Sequence, residues 1–498
     1  MTRTLKAALL ATAVLLPAGG AFAQTLNIGL QDDPDLLDPH RARTFVGRIV
    51  FTALCDKLVD ITPDLSIVPQ LATRWETSAD GLRVTMDLRT DATFHDGSKI
   101  DAAAVKANLD RARELPDSLR KSEIASIASV DVVDADTIQL NLSRPDAALL
   151  SQLSDRAGMI MSPAAFDTMG TQPVCSGPYR FVDRVQNDRI TLEKYDGYWD
   201  AANYPTKTVV YRPIPDTTVR FANLQSGDLD IIERIAPTDM AAAEGNSDLT
   251  VVPVTGLGYQ AIAFNLANGA GAANPLASDA RLRRAFDKMI DRSVINDVVG
   301  LGSFTPATQP FPPASFAAPK DAVTTADVEG AKALLKEAGV ERVPLTITYG
   351  NNTTSQQVYE LIQAMGAEVG FDITLQPTEF AALQSTLKSG DFQAGQSGWS
   401  GRVDPDGNIH QHVTCGAGLN DGHYCNEAVD KLLNEARSTG DQAKRVELYR
   451  QANALLEADK PVSYLYFLPY PFAHKKALQG FVGYPDGMIR LRGVRLAN

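Results

Sequence analysis

The sequence predicts an α/β protein of two lobes built differently, and three observations carry that expectation. With residues 1–23 set aside, the chain is about 475 residues long, more than a single core organises. Its first half reads as short strands and hairpins, whereas from about residue 265 helices and strands take turns. Its 44% hydrophobic and 21% charged residues are the composition of a globular protein.

The first residues read as an export signal. Arg3 and Lys6 supply positive charge, residues 7–16 form a short apolar core, and Ala21-Phe22-Ala23 offers small residues before a mature start at Gln24. Pro17 and the Gly19-Gly20 pair break the apolar run too early for a membrane-crossing helix, and no later segment reaches spanning length. No Cys stands at the cleavage point to carry a lipid, so a freely diffusing protein of the periplasm is expected.

Loss of Arg3 and Lys6, with no acidic residue, takes the formal charge from -13 to -15. A chain this acidic is a poor match for nucleic-acid phosphates or an anionic membrane surface. Its four cysteines, an even number in an exported chain, predict two disulfides. Cys415 and Cys425 lie close together in a Gly- and Asn-rich stretch and form the first pair; Cys55 and Cys175 follow by elimination, with two buried free thiols as the alternative.

In chain order, residues 25–30 form a strand, followed by turns at Asp32-Asp33-Pro34 and Asp38-Pro39. Residues 82–88 alternate as a half-buried strand does, and a helix over 102–112 has Asp101 placed to cap it. A hairpin over 130–142 turns at Asp134-Ala135-Asp136, and strands follow at 190–195 and 208–213. One helix is expected over 278–299, with Leu282, Phe286, Met289 and Ile290 on one face, and another over 325–338, stopped by Gly339. A strand at 345–349, a helix with Val358, Leu361, Ile362, Met365 and Val369 on one stripe, and a strand at 371–375 make a βαβ unit and hence a parallel sheet. Pro310, Pro312, Pro313 and Pro319 suggest a stiff connection over the surface between the two halves.

Several motifs admit a sharp and a plain reading. Gly256-Leu257-Gly258-Tyr259-Gln260-Ala261 fits a dinucleotide fingerprint superficially, but Ile262-Ala263-Phe264-Asn265 continues as strand where the fingerprint needs a helix, so no nucleotide cofactor is expected. His95, in Phe94-His95-Asp96-Gly97, reads as a turn residue with no nucleophile beside it. His410, His412 and His423, interleaved with Cys415 and Cys425, resemble a soft-metal site. Their spacing matches no standard finger, and in an oxidising compartment the cysteines are better explained as a disulfide, so no metal is expected there.

The most informative stretch runs from Gly398 to Asn408. Trp399 offers a flat apolar face, Arg402 a rigid donor fork, and the Gly-rich backbone lets a solute approach closely. Asp404, Asp406, Asn408 and Tyr259 are grouped with these two as candidate ligand-binding residues. The plain alternative is an ordinary turn with a stray Arg. No acid, base and nucleophile set can be assembled, so an enzyme is not expected.

Pro69-Gln70-Leu71-Ala72-Thr73-Arg74-Trp75-Glu76, continuing through Asp80-Gly81 to Phe94-His95-Asp96-Gly97, resembles the signature region of family 5 extracellular solute-binding proteins. Ser176-Gly177-Pro178-Tyr179, Asp196-Gly197-Tyr198-Trp199, Gln225-Ser226-Gly227-Asp228-Leu229-Asp230 and the Gly398-Trp399 loop are similar to that family in the same order. The resemblance implies a two-lobed fold of the periplasmic-binding-protein type, hinged between lobes. Lobe I would span 24–264 with an extra subdomain inserted at about 70–180, lobe II 265–470, and residues 471–498 would return to lobe I. It also implies an ABC permease and ATPase as partners, and a small solute such as a peptide, an opine or a nickel chelate. Nucleic acid is not an expected partner, and the chain is expected to act as a monomer without a cofactor.

One position departs from that pattern. Peptide receptors of the family typically carry, three residues after the loop Trp, an Asp that pairs with the peptide ammonium; here the residue is Arg402. A guanidinium repels an ammonium and attracts a carboxylate or phosphate. The expected solute is therefore peptide-like or anionic, with a metal-chelate receptor as the alternative.

Overall fold

A computed structural model describes residues 25–319 and 324–497. The export segment expected at 1–23 lies outside them, and among the described residues no helix is long and apolar enough to cross a membrane.

Three sheets organise the chain. The first has seven strands, in the order Leu249–Val252, Phe472–Lys475, Ile231–Glu233, Thr25–Leu30, Thr208–Pro213, Arg189–Lys194 and Tyr179–Val185. Thr25–Leu30 lies at its centre, parallel to both neighbours, and alternates so that Leu26, Ile28 and Leu30 are buried. Helix Phe45–Leu54 packs Ile49, Val50, Phe51 and Leu54 into the same core. The second sheet is antiparallel, in the order Ala72–Thr77, Arg83–Leu88, Thr137–Leu142 and Ile127–Val132, and has a core of its own beneath helix Ala102–Glu114. Asp101 caps that helix by accepting from Ala104 N at 2.8 Å, a contact worth about 1 kcal/mol.

The third sheet has six strands, in the order Thr305–Pro306, Val462–Pro469, Thr255–Phe264, Ala394–Trp399, Val343–Gly350 and Phe371–Thr378. Val343–Gly350 and Phe371–Thr378 run parallel, joined by helix Thr353–Val369, which is the βαβ unit read from the sequence. Thr255–Phe264 is a central strand of this sheet, although the sequence reading groups it with lobe I. Its pairing with Val462–Pro469 is what moves it across. The chain thus passes between the first and third sheets twice, at residues 253–254 and 470–471.

Two further expectations are corrected. The helix expected over 278–299 is broken: Ala280–Met289 ends at an extended Ile290, and Asp291 caps a new helix, Arg292–Val298, by accepting from the Ser293 and Val294 amides. An Asp that caps competes with helix continuation, and the apolar stripe is buried either way. The proline-rich stretch runs over the surface only in part, since Pro313 and Pro319 are exposed. Pro310, Phe311 and Pro312 are buried, Phe311 packing against Tyr449 within the helical layer that also holds Leu433 and Leu448.

Candidate functional site

The loop that follows strand Ala394–Trp399 is held by its own side chains. Asn408 Oδ1 accepts from Trp399 Nε1 at 3.0 Å and from the Arg402 amide at 2.7 Å, while its Nδ2 donates to Arg402 O at 2.9 Å. Gly401 sits at φ 82°, and a Cβ there would run into the Leu257 backbone, so this turn requires glycine. Gly407 leaves the space that the Arg402 stem fills.

Arg402 is 5% exposed, and its guanidinium crosses to residues distant in sequence. Nη2 donates to Glu123 Oε1 at 3.2 Å, Nε lies 3.5 Å from Asp155 Oδ2, and the group stacks over Trp399 at 4.4 Å. Asp155 is also bound by Arg48 of helix Phe45–Leu54, with Nη2 at 2.8 Å. Burial opposes the Asp155 anion, yet Arg48, Arg402 and Arg156 outweigh it and hold its carboxyl well below the ordinary range. A cavity beside the pair is lined by Arg48, Ser151, Ser154, Asp155, Leu257 and Arg402.

The six candidate residues are brought together but differ in what they are free to do. Arg402 lines the cavity, and Trp399 packs against its guanidinium. Asp404 has both oxygens taken by Arg445, at 2.5 and 2.9 Å, and Asp406 has both taken by Arg437, at 2.5 and 3.0 Å. Neither is paired with Arg402, and each carboxylate is held by another guanidinium. Asn408 locks the loop. Tyr259 is 1% exposed, packed edge-on against Tyr464 and His412, with its hydroxyl donating to Asn408 O at 3.3 Å.

Both predicted cysteine pairs are at bonding distance, with Cα separations of 4.4 Å for Cys415–Cys425 and 4.9 Å for Cys55–Cys175. The three loop histidines are dispersed. His410 Nε2 lies 3.1 Å from Asn434 Oδ1, and His412 is buried edge-on to Trp399, where burial and Arg402 push it down to about 3. His423 stands in a turn at φ 53°. Among the described residues no group of His, Cys, Asp and Glu is arranged to hold a metal ion. The Gly256 motif continues as strand Thr255–Phe264, so no helix N-terminus follows it. His95 Nε2 lies 3.0 Å from Gly177 O in a structural role.

Glu123, Asp155 and Arg48 are missed by sequence reasoning. Glu123 is 279 residues from Arg402, and no local motif marks it. The only available hint is type: Arg48 falls amid the apolar residues of a helix that is otherwise buried.

Residues 66–420 match the family described as bacterial extracellular solute-binding proteins, family 5. A glutathione-binding protein of Pectobacterium atrosepticum is 30% identical over 472 residues, 91% of this chain and 90% of that one. Among solved structures, the binding protein AgaA of A. tumefaciens R10 in complex with agropinic acid superposes with a TM-score of 0.84 at 26% identity, covering 95% of this chain and 99% of that one. A dipeptide-binding protein of Pseudoalteromonas sp. SM9913 holding Met-Leu has the same fold, with a TM-score of 0.85 at 21% identity over 95% of this chain and 100% of that one. These neighbours are two-lobed periplasmic binding proteins, and the three-sheet α/β architecture here is theirs.

Proposed function

The chain belongs to family 5 of the bacterial extracellular solute-binding proteins, and on that premise we propose that it is the periplasmic receptor of an ABC importer for a peptide-like or anionic organic solute. In this reading it is exported through residues 1–23, acts as a monomer without catalysing a reaction, and delivers its solute to a membrane permease driven by an ATPase. Lobe I comprises the first and second sheets and lobe II the third, and the crossings at 253–254 and 470–471 serve as the hinge.

The observation that carries the solute class is Arg402, buried with its guanidinium over Trp399 and beside Asp155, which Arg48 also holds. A guanidinium fork under an aromatic cover suits a carboxylate attached to an apolar body. The agropinic acid of one neighbour and the glutathione of one relative support the same class. The metal-chelate alternative loses its main support, because His410, His412 and His423 do not converge.

Native mass spectrometry of the periplasmic protein identifies the co-purifying solute, and small-angle scattering with and without it reads closure. A smaller radius of gyration with solute is expected. A particle whose dimensions do not respond to a solute shown to bind overturns the reading.

A further inference from the structure

We infer that the cleft is built for a solute bearing two net negative charges, because four buried guanidinium groups stand there beside only Glu123 and Asp155, the third carboxylate at the cavity, Asp486, being held by Arg490. This deepens the receptor reading and rests on it.

Arg48, Arg120, Arg156 and Arg402 are 3%, 4%, 4% and 5% exposed. Their acidic partners are Glu123 and Asp155, each 8% exposed. Arg120 Nη1 donates to Glu123 Oε1 at 2.6 Å, the oxygen that also receives Arg402. Arg48 takes Asp155, and Arg402 adds a longer contact to it. Arg156 has no ion pair among the described residues; its Nη1 donates to the Ala42 carbonyl at 2.7 Å. Arg48 Nη1, Arg120 Nε, Arg156 Nε and Arg402 Nε are buried without a hydrogen-bond partner, as is Glu123 Oε2. A guanidinium stays protonated when buried, so two positive charges are left without a counter-charge.

The surrounding ion pairs do not supply one. Asp60 and Asp486 are both held by Arg490, and Lys57 also binds Asp60. Asp38 is held by Arg111, and Asp404 and Asp406 by Arg445 and Arg437. Each of these groups is balanced within itself. Uncompensated buried charge is among the most costly features a protein carries, and a cluster that keeps it at the junction of two lobes is matched to an incoming anion. The cavity beside Arg48 and Arg402 is also lined by Ser151, whose hydroxyl accepts from the Asp404 amide at 3.0 Å, and by Ser154, whose hydroxyl donates to Ser151 O at 2.8 Å. A solute ammonium here would add to the excess.

The test is a charge series on one scaffold, titrated by calorimetry into the mature protein after exhaustive dialysis. Alanyl-alanine is net neutral, its N-acetyl form carries one negative charge and its N-succinyl form two. Affinity should rise at each step, by at least tenfold from the neutral to the doubly charged form. Arg156→Gln, which touches no carboxylate, should remove most of the succinyl preference, and Arg156→Lys should retain part of it if the glutamine variant folds poorly. Equal or tighter binding of the neutral dipeptide, or no binding of any of the three, overturns the inference. The receptor reading fails separately: a co-purified neutral solute that closes the lobes defeats only the charge count, whereas a bound solute that leaves the dimensions unchanged defeats the receptor.

Discussion

Arg402 donates to Glu123 at 3.2 Å across 279 residues of sequence, so a buried ion pair ties a loop of the third sheet to the subdomain of the second. The same guanidinium reaches Asp155, which is already held by Arg48. In the proposed receptor, opening of the lobes would break the contacts of this guanidinium to Glu123 and Asp155.

Arg402→Ala should weaken solute binding by roughly ten- to a hundredfold, the equivalent of losing one buried charge-assisted hydrogen bond. Arg402→Lys keeps the charge, loses the fork and should fall between. Calorimetry with the identified solute reads both. Unchanged affinity in a folded Arg402→Ala protein removes Arg402 from the site.

Asp404 and Asp406 should act on stability. Removing one partner of a buried pair strands the other, so Asp404→Asn and Asp406→Asn should each cost about 3 to 5 kcal/mol in urea unfolding by leaving Arg445 or Arg437 unpaired. Affinity of the folded fraction should change less than it does for Arg402→Ala. A variant that binds weakly with unaltered stability would show instead that the carboxylate meets the solute.

His412 makes stability depend on pH in a defined direction. Burial, with Arg402 nearby, holds it near 3 in the folded chain against an ordinary value of 6.5, so the unfolded chain binds the extra proton between those limits. Its contribution is complete above pH 6.5 and is lost as pH falls towards 3, at about 1.4 kcal/mol per pH unit. Urea midpoints from pH 7 to 4 should fall less steeply in His412→Phe than in the parent. Parallel slopes would mean that the imidazole titrates normally.

The Cys415–Cys425 bridge closes a short loop and should contribute about 2 to 3 kcal/mol by restricting the unfolded chain. Peptide mapping without reductant identifies the pair, and the Cys415→Ser, Cys425→Ser double variant measures its effect by denaturation. Free thiols in protein taken from the periplasm would contradict the pairing.

Local chemistry determined much of this protein from sequence alone. Alternation placed strands Arg83–Leu88 and Thr137–Leu142, Asp101 marked a helix start, Gly339 a helix end, and the stripe through Val358, Ile362 and Val369 gave the βαβ unit. Each of these signals acts within one turn or one strand, where propensity and burial agree. The loop from Trp399 to Asn408 stands out in sequence in the same local way, as residue types suited to a solute, which is the basis of the proposed site. Tertiary structure alone decided the rest. Which lobe owns Thr255–Phe264 depends on a strand arriving some 200 residues later, and whether the chain breaks at Asp291 depends on a cap competing with an apolar stripe. Asp404, Asp406 and Arg402 look alike in sequence as charges on one loop. Arg445 and Arg437 neutralise the first two, while Glu123, Asp155 and Arg48 come from the other side of the cleft. Electrostatic energy depends on distance through space and on exclusion of water, and neither is written in the spacing of residues along the chain.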